Sequence, residues 1–343
     1  MKPFSNMIVV VIALCATAMA ADEKPDLAAG KETRIEMPGI GQNHFVVRLP
    51  EDYSDEKKWP VIVFFHGMNQ QPNSRIPKSI TQGQNFIIVG MGYLKKGPSS
   101  GTGDVPAQVS NIKTVLKYVH KHTSIDTKSI TLMGWSKGGW SGSAYAEASA
   151  SIWRGMVLMG SGRTGRGAPT GFRGKPVFIG IGEKDDSKKR AMDAADVYRK
   201  QQAIVTFESW KGKGHAVDTK SQKMRDWLIN TGVLYEVPAL LKSATRYEKS
   251  RKYGMAYVSY LAASQKSPTH QTCVDAGKKA EELADKAKAI MEQARTAMNE
   301  KKWTTATKTI SDLSRQFTGS PFSDEVKTLR QELIQKRREA KTG

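Results

Sequence analysis

From Glu32 to Thr231 the chain alternates short apolar runs with longer stretches in which apolar residues recur at helical spacing. "PVIVFF", "NFIIVG", "SITLMG", "GMVLMG", "PVFIGIG" and "IVTFESW" are too continuous for strands with one wet face, so they read as strands of a sheet covered on both sides. Ahead of them, "TRIEM" and "HFVVRL" are joined by the Gly- and Pro-containing "PGIGQN", which predicts an opening antiparallel hairpin. Between the runs, "VPAQVSNIKTVLKYVHKH" puts Val109, Ile112, Val115, Leu116 and Val119 on one helical face, and "KKRAMDAADVYRKQ" and "SQKMRDWLINTG" repeat the pattern. Strands alternating with helices predict an α/β fold with a mainly parallel central sheet.

After Gly232 the β-branched runs stop, and an Ala-, Lys- and Glu-rich sequence takes over. Its periodicity predicts helices from about Ala276 to Met298, Trp303 to Phe317 and Ser323 to Lys336, with "FTGSPFSDE" and its Pro321 breaking the last two. This helix–break–helix arrangement resembles one tetratricopeptide-like unit. One unit cannot stabilise a solenoid, which needs about three. The expectation is a helical hairpin that packs on the preceding domain or on another copy, or meets a partner. The division expected is a signal peptide at 1–20, an α/β domain at 21–232, a linker and connecting helix at 233–274, and a basic helical region at 275–343.

The first twenty residues stand apart. Lys2, the apolar "MIVVVIALCATAM" and the small-residue "AMA" before "ADEKPD" form an export signal with cleavage expected after Ala20. The apolar run is short for a membrane span. A periplasmic or extracellular protein is expected, with no membrane span after cleavage. Of two cysteines, Cys15 would leave with the signal and Cys273 would remain alone, which excludes an internal disulfide in the mature chain. One cysteine and six scattered histidines give no zinc-ligand spacing, so no metal site is expected.

The formal charge is +20 and is spread along the chain, with 21 basic and 12 acidic residues from Leu241 onward. Such a charge attracts acidic polymers and envelope surfaces. Export, and the lack of a basic motif interleaved with aromatics, argue against a nucleic-acid partner.

Candidate chemistry centres on "LMGWSKGGW". Gly134, Ser136 and Gly138 fill G-x-S-x-G between a strand and a small-residue helix, a turn that thrusts a serine hydroxyl above a sheet. A hydroxyl is a weak nucleophile until a base takes its proton and a carboxylate orients that base. "GEKDD" after one strand offers Asp185, with Asp186 as its rival, and "GKGH" after the next offers His215. "FFHGMNQQ" ends the first central strand, so the amides of Met68 and Lys137 are the candidate oxyanion donors, and His66 reads as a structural member of that turn. Trp135, Trp140 and Trp210 flank the motifs and could wall a pocket or fill the core. The near match "GMGYLKKG" has Lys95 where a dinucleotide site needs its third glycine.

On "FFHGMNQ", "GWSKGG", "GEKD" and "GKGH", residues 33–232 resemble the α/β-hydrolase fold, and within it the small secreted esterases related to dienelactone hydrolases, polyhydroxybutyrate depolymerases and feruloyl esterases. The resemblance implies a serine hydrolase acting on esters through Ser136, His215 and Asp185, with no cofactor. Between "GMVLMG" and "PVFIGIG" only "SGRTGRGAPTGFRGK" intervenes, too short for a helical lid. That loop carries Arg163 and Arg166, expected to favour an acidic or polymer-attached acyl group, with Trp135 as a further substrate contact. A peptidase with the same triad, and a non-catalytic envelope-binding protein with a vestigial domain, are the alternatives.

Overall fold

In a computed structural model of the chain, residues 25–94, 104–165, 167–267 and 269–342 are described. The expected export signal and Arg166 lie outside them. The chain divides into two compact units, one ending at Gly232 and one beginning at Val233.

The first unit is an eight-stranded sheet in the order β1-β2-β4-β3-β5-β6-β7-β8. β1 (Glu32–Glu36) and β2 (His44–Arg48) form the antiparallel hairpin, and β2 runs antiparallel to β4 (Ile87–Met91). β3 (Trp59–Phe65), β4, β5 (Ile125–Trp135), β6 (Gly155–Met159), β7 (Pro176–Gly182) and β8 (Ile204–Trp210) are parallel. Every residue of β3, β4 and β6 is buried, as strands sandwiched between helices must be.

The helices of this unit are α1 (Arg75–Thr81), α2 (Val105–His122), α3 (Lys137–Ala148), α4 (Lys188–Lys200) and α5 (Gln222–Leu228). α2 starts where Asp104 accepts a hydrogen bond from the Ala107 amide at 3.0 Å and Pro106 fits the first turn. It buries the predicted stripe of Val109, Ile112, Val115, Leu116 and Val119. Cutting Ile112, fully buried, to alanine would cost about 2–5 kcal/mol. α3 lies close against the sheet because glycine leaves room: a Cβ on Gly138 would stand 2.0 Å from the Phe65 carbonyl oxygen. That contact brings the first turn of α3 to the end of β3.

The second unit holds α6 (Val237–Lys249), α7 (Tyr253–Ser264), α8 (Gln271–Asn299), α9 (Trp303–Gln316) and α10 (Phe322–Thr342). Helices α6 and α7 occupy the span expected as a linker and one connecting helix. In α8 the small residues Ala287 and Ala294, with Met291 and Met298 between and after them, form a seam against Ile310 and Leu313 of α9 and Leu329 and Leu333 of α10. Tyr253 and Tyr257 of α7 add ring contacts to Phe317 and Phe322. Cys273 is buried and free. Among the described residues no helix is long and apolar enough to cross a membrane.

Candidate active site

Ser136 sits between β5 and α3 at φ 53° and ψ −118°, a conformation that costs a side-chain-bearing residue strain. Its amide donates to the Met159 carbonyl at 2.8 Å, tying the turn to the end of β6. The glycines on either side are steric necessities, since a Cβ on Gly134 would stand 2.2 Å from the Gly138 carbonyl oxygen.

Asp185 and His215 reach the same place from two neighbouring loops. The loop after β7 and the loop after β8 are bound by Glu183 N–H to the Trp210 carbonyl (2.9 Å), Lys184 N–H to the Lys213 carbonyl (2.8 Å) and Gly212 N–H to the Glu183 carboxylate (2.7 Å). A Cβ on Gly182 would collide with the Gly214 carbonyl oxygen at 1.9 Å, so only glycine permits this approach. His215 Nδ1 lies 2.7 Å from Asp185 Oδ2. A carboxylate oxygen accepts, so Nδ1 carries the proton and Nε2 is left with a lone pair. Ser136 Oγ stands 2.8 Å from that Nε2 and donates to it. The other carboxylate oxygen of Asp185 accepts from the Ser187 amide at 2.8 Å. The Asp185 side chain is 2% exposed and that of His215 48%, so the acid is shielded while the imidazole opens to solvent. Asp186 points to solvent and has no part in the array.

Lys137 opens α3, and a helix's first amides have no intrahelical acceptor. Met68 follows the end of β3 and its side chain is exposed. Between them, a Cβ on Gly67 would stand 2.6 Å from the Trp135 ring, so the segment carrying the Met68 amide lies directly on Trp135. The Trp135 ring also stacks near His215, with centroids 6.0 Å apart and planes at 29°. Trp210 by contrast is buried, its ring filling the space beside Gly180. Trp140 packs beside Gly162 with the Arg190 guanidinium 5.9 Å from its ring centre.

His66 is buried; its Nδ1 lies 2.7 Å from the Gly67 carbonyl oxygen and its Nε2 3.2 Å from Gln42 Oε1, so a neutral ring donates to one of these two oxygens. Burial lowers its pKa below 6.5, with the Lys137 charge acting in the same direction. Tyr93 donates to the His66 carbonyl and meets its ring edge-on at 4.9 Å. These groups line a cleft of about 320 Å³ that Lys137, the residue after Ser136, also borders. Gln42 and Tyr93 come from distant parts of the chain and carry no motif; nothing local in the sequence points to them.

Arg163 departs from expectation. Its Nε and one terminal nitrogen donate to the two oxygens of Glu147 at 2.7 and 2.8 Å, and the same terminal nitrogen donates to the Gly167 carbonyl at 2.7 Å. With 11% of the side chain exposed, this fork is spent within the fold and is not free to meet substrate. Tyr198, buried, donates to the same Glu147 at 2.6 Å, and burial followed by that carboxylate's charge drives its pKa well above 10. Glu147 is the lone charge in the small-residue stretch "SGSAYAEASA" that follows the first turn of α3, and an isolated acid there was the available signal that a cation must come to it. Among the described residues no group of three or more His, Cys, Asp or Glu side chains could hold a metal ion.

No family model matches the sequence, and no curated protein matches it. Solved structures are similar in shape. A thermostable esterase is 13% identical at a TM-score of 0.46, covering 58% of this chain and 62% of its own, so this chain spans less than two thirds of it. A ferulic acid esterase from Anaeromyces mucronatus, solved with ferulic acid, is 15% identical at 0.45, covering 60% of this chain and 91% of its own. A phospholipase/carboxylesterase from Dyadobacter fermentans is 14% identical at 0.42, with 58% and 99% covered. Antiparallel β2 beside seven further strands, the β4-β3-β5 crossover and the strand–serine–helix turn give the described residues up to Gly232 the α/β-hydrolase fold.

Proposed function

We propose that this chain is an exported serine hydrolase that cleaves carboxylic esters. The observation that carries the reading is the unbroken series from Ser136 Oγ through His215 to Asp185, at 2.8 and 2.7 Å, with the serine held on a strained turn. In this reading Ser136 Oγ attacks the ester carbonyl while its proton passes to His215 Nε2. Asp185, buried and accepting from Nδ1–H, stabilises the imidazolium that forms. The Met68 and Lys137 amides donate to the oxyanion, each such donor being worth about 10²–10³ in rate. The intermediate collapses, the alcohol leaves with the proton from His215, and an acyl-serine remains. Water, giving its proton to the same Nε2, attacks that acyl group, and Ser136 recovers its proton as the acid departs.

The residues involved all precede Gly232, so residues 21–232 are taken as the catalytic unit. Trp135 supports the imidazole from below, and the open His215 side suits a site without a lid. Export rests on the sequence of residues 1–20. The test is labelling of the purified mature protein with a fluorophosphonate probe, followed by mass spectrometry of the modified peptide. Labelling at Ser136 that disappears in Ser136→Ala and falls sharply in His215→Ala is expected. A folded protein that takes no label would end this reading.

A further inference from the structure

We infer that the cleft lined by His66, Tyr93 and Lys137 selects esters that carry a carboxylate, and that the Lys137 side chain is the residue that selects them. This rests on the serine-hydrolase reading and adds a substrate class to it. The cleft is bounded by Gln42, His66, Asn69, Gln70, Tyr93 and Lys137, and among the described residues no carboxylate lines it. Among the described residues its walls are therefore side-chain amides that can donate hydrogen bonds, a buried histidine, Tyr93, Leu94 and one lysine.

The charge is held in place. Lys137 Nζ lies 4.6 Å from the centre of the Tyr93 ring, a cation–π contact. Tyr93 is itself fixed, because its hydroxyl donates to the His66 carbonyl and its ring meets the ring of His66. A lysine normally sweeps a wide volume, but here an aromatic face keeps its ammonium at the cleft. Lys137 directly follows Ser136 and lines the cleft, so a substrate that reaches from the serine into the cleft would bring a carboxylate to this ammonium. A carboxylate there exchanges water for a charge-assisted hydrogen bond plus amide donors. The chain's formal charge of +20 also draws anions toward the site. Arg163, one of the two arginines expected near the site, cannot take this role, since Glu147 already holds it.

The experiment compares kcat/KM for probes matched except in charge. For the acyl half, 4-nitrophenyl hydrogen adipate is set against its methyl ester; for the alcohol half, the butyrate of 4-hydroxybenzoic acid is set against that of methyl 4-hydroxybenzoate. The wild type is expected to favour the anionic member of at least one pair by about tenfold or more, the size of one charge-assisted contact. The affected pair tells which half of the ester carries the charge. Lys137→Met should erase that preference, Lys137→Arg should restore most of it, and Lys137→Glu should reverse it. Fluorophosphonate labelling of each preparation reports whether the serine is assembled. Labelled proteins whose charge preference is the same with Lys, Met and Glu at 137 would overturn this inference and leave the hydrolase reading standing. A folded wild type that neither labels nor turns over any probe would overturn both.

Discussion

Lys137 is held over the Tyr93 ring in a cleft that no carboxylate lines among the described residues; Arg163 is gripped by Glu147, which Tyr198 also holds, and by the Gly167 carbonyl. Both are basic residues that the sequence offers near the candidate site, one next to Ser136 and one in the loop after β6. They differ in what the fold places opposite them. A cation facing a buried acid is a structural fastener, whereas one facing neutral amides keeps its charge for whatever enters. The count of positive residues in a loop therefore says little about binding until the acids opposite are known.

The largest effects test the ground that both residues share. Ser136→Ala should lower esterase kcat/KM by about 10⁴-fold or more, with the fold intact by circular dichroism. Asp185→Asn should cost roughly 10⁴-fold, because the imidazole loses the partner that fixes its tautomer. The same change at exposed Asp186 should stay within about twofold, the size of an ordinary surface substitution. Equal losses at 185 and 186 would show that the acid is misassigned.

Next in size is the fastener. Arg163→Gln leaves Glu147 and Tyr198 in a half-empty network and should lower stability by about 2 kcal/mol. Thermal denaturation should show a drop of roughly 4–8 °C. The preference between anionic and neutral probes should not move in this variant. If it does, the contrast between the two residues is wrong.

The smallest effect concerns the cleft side. Burial holds the folded-state pKa of His66 below 6.5, so below that pH the unfolded chain takes up a proton that the folded chain resists. Its contribution is intact above pH 6.5 and is lost as pH falls toward the lowered folded value. Denaturant titrations should show stability declining with acid over that window, and His66→Gln should flatten the decline. An equally steep decline in the variant would show that His66 is not the group responsible.

Much of this was legible in the sequence. "PVIVFF" and "PVFIGIG" became β3 and β7 because a strand buried on both faces leaves no polar positions, and the α2 stripe was recovered residue for residue. The positions of Ser136, Asp185 and His215 could be read because each lies in the turn or loop that follows a strand of a parallel sheet, so topology carries them to one edge. What could not be read depends on distant pairs. The Arg163–Glu147 fastener joins a loop to a helix, and the Gln42–His66–Tyr93 cluster joins three separate segments; periodicity within one element says nothing about either. Short α1, with Pro77 inside it, lacks the length for a periodic signal, and α6 and α7 were read only as a linker and one connecting helix.

The left-handed backbone at Ser136 has a consequence for how the protein can change. Such a conformation costs a serine about 1–3 kcal/mol, a penalty that glycine largely escapes. Ser136→Gly should therefore melt at the same temperature as the wild type or above it, while removing the hydroxyl that bonds to His215. Random variants screened for heat resistance alone would drift toward glycine at this position and lose their chemistry unnoticed. Stabilising this protein without watching turnover selects against the feature that makes the turn useful.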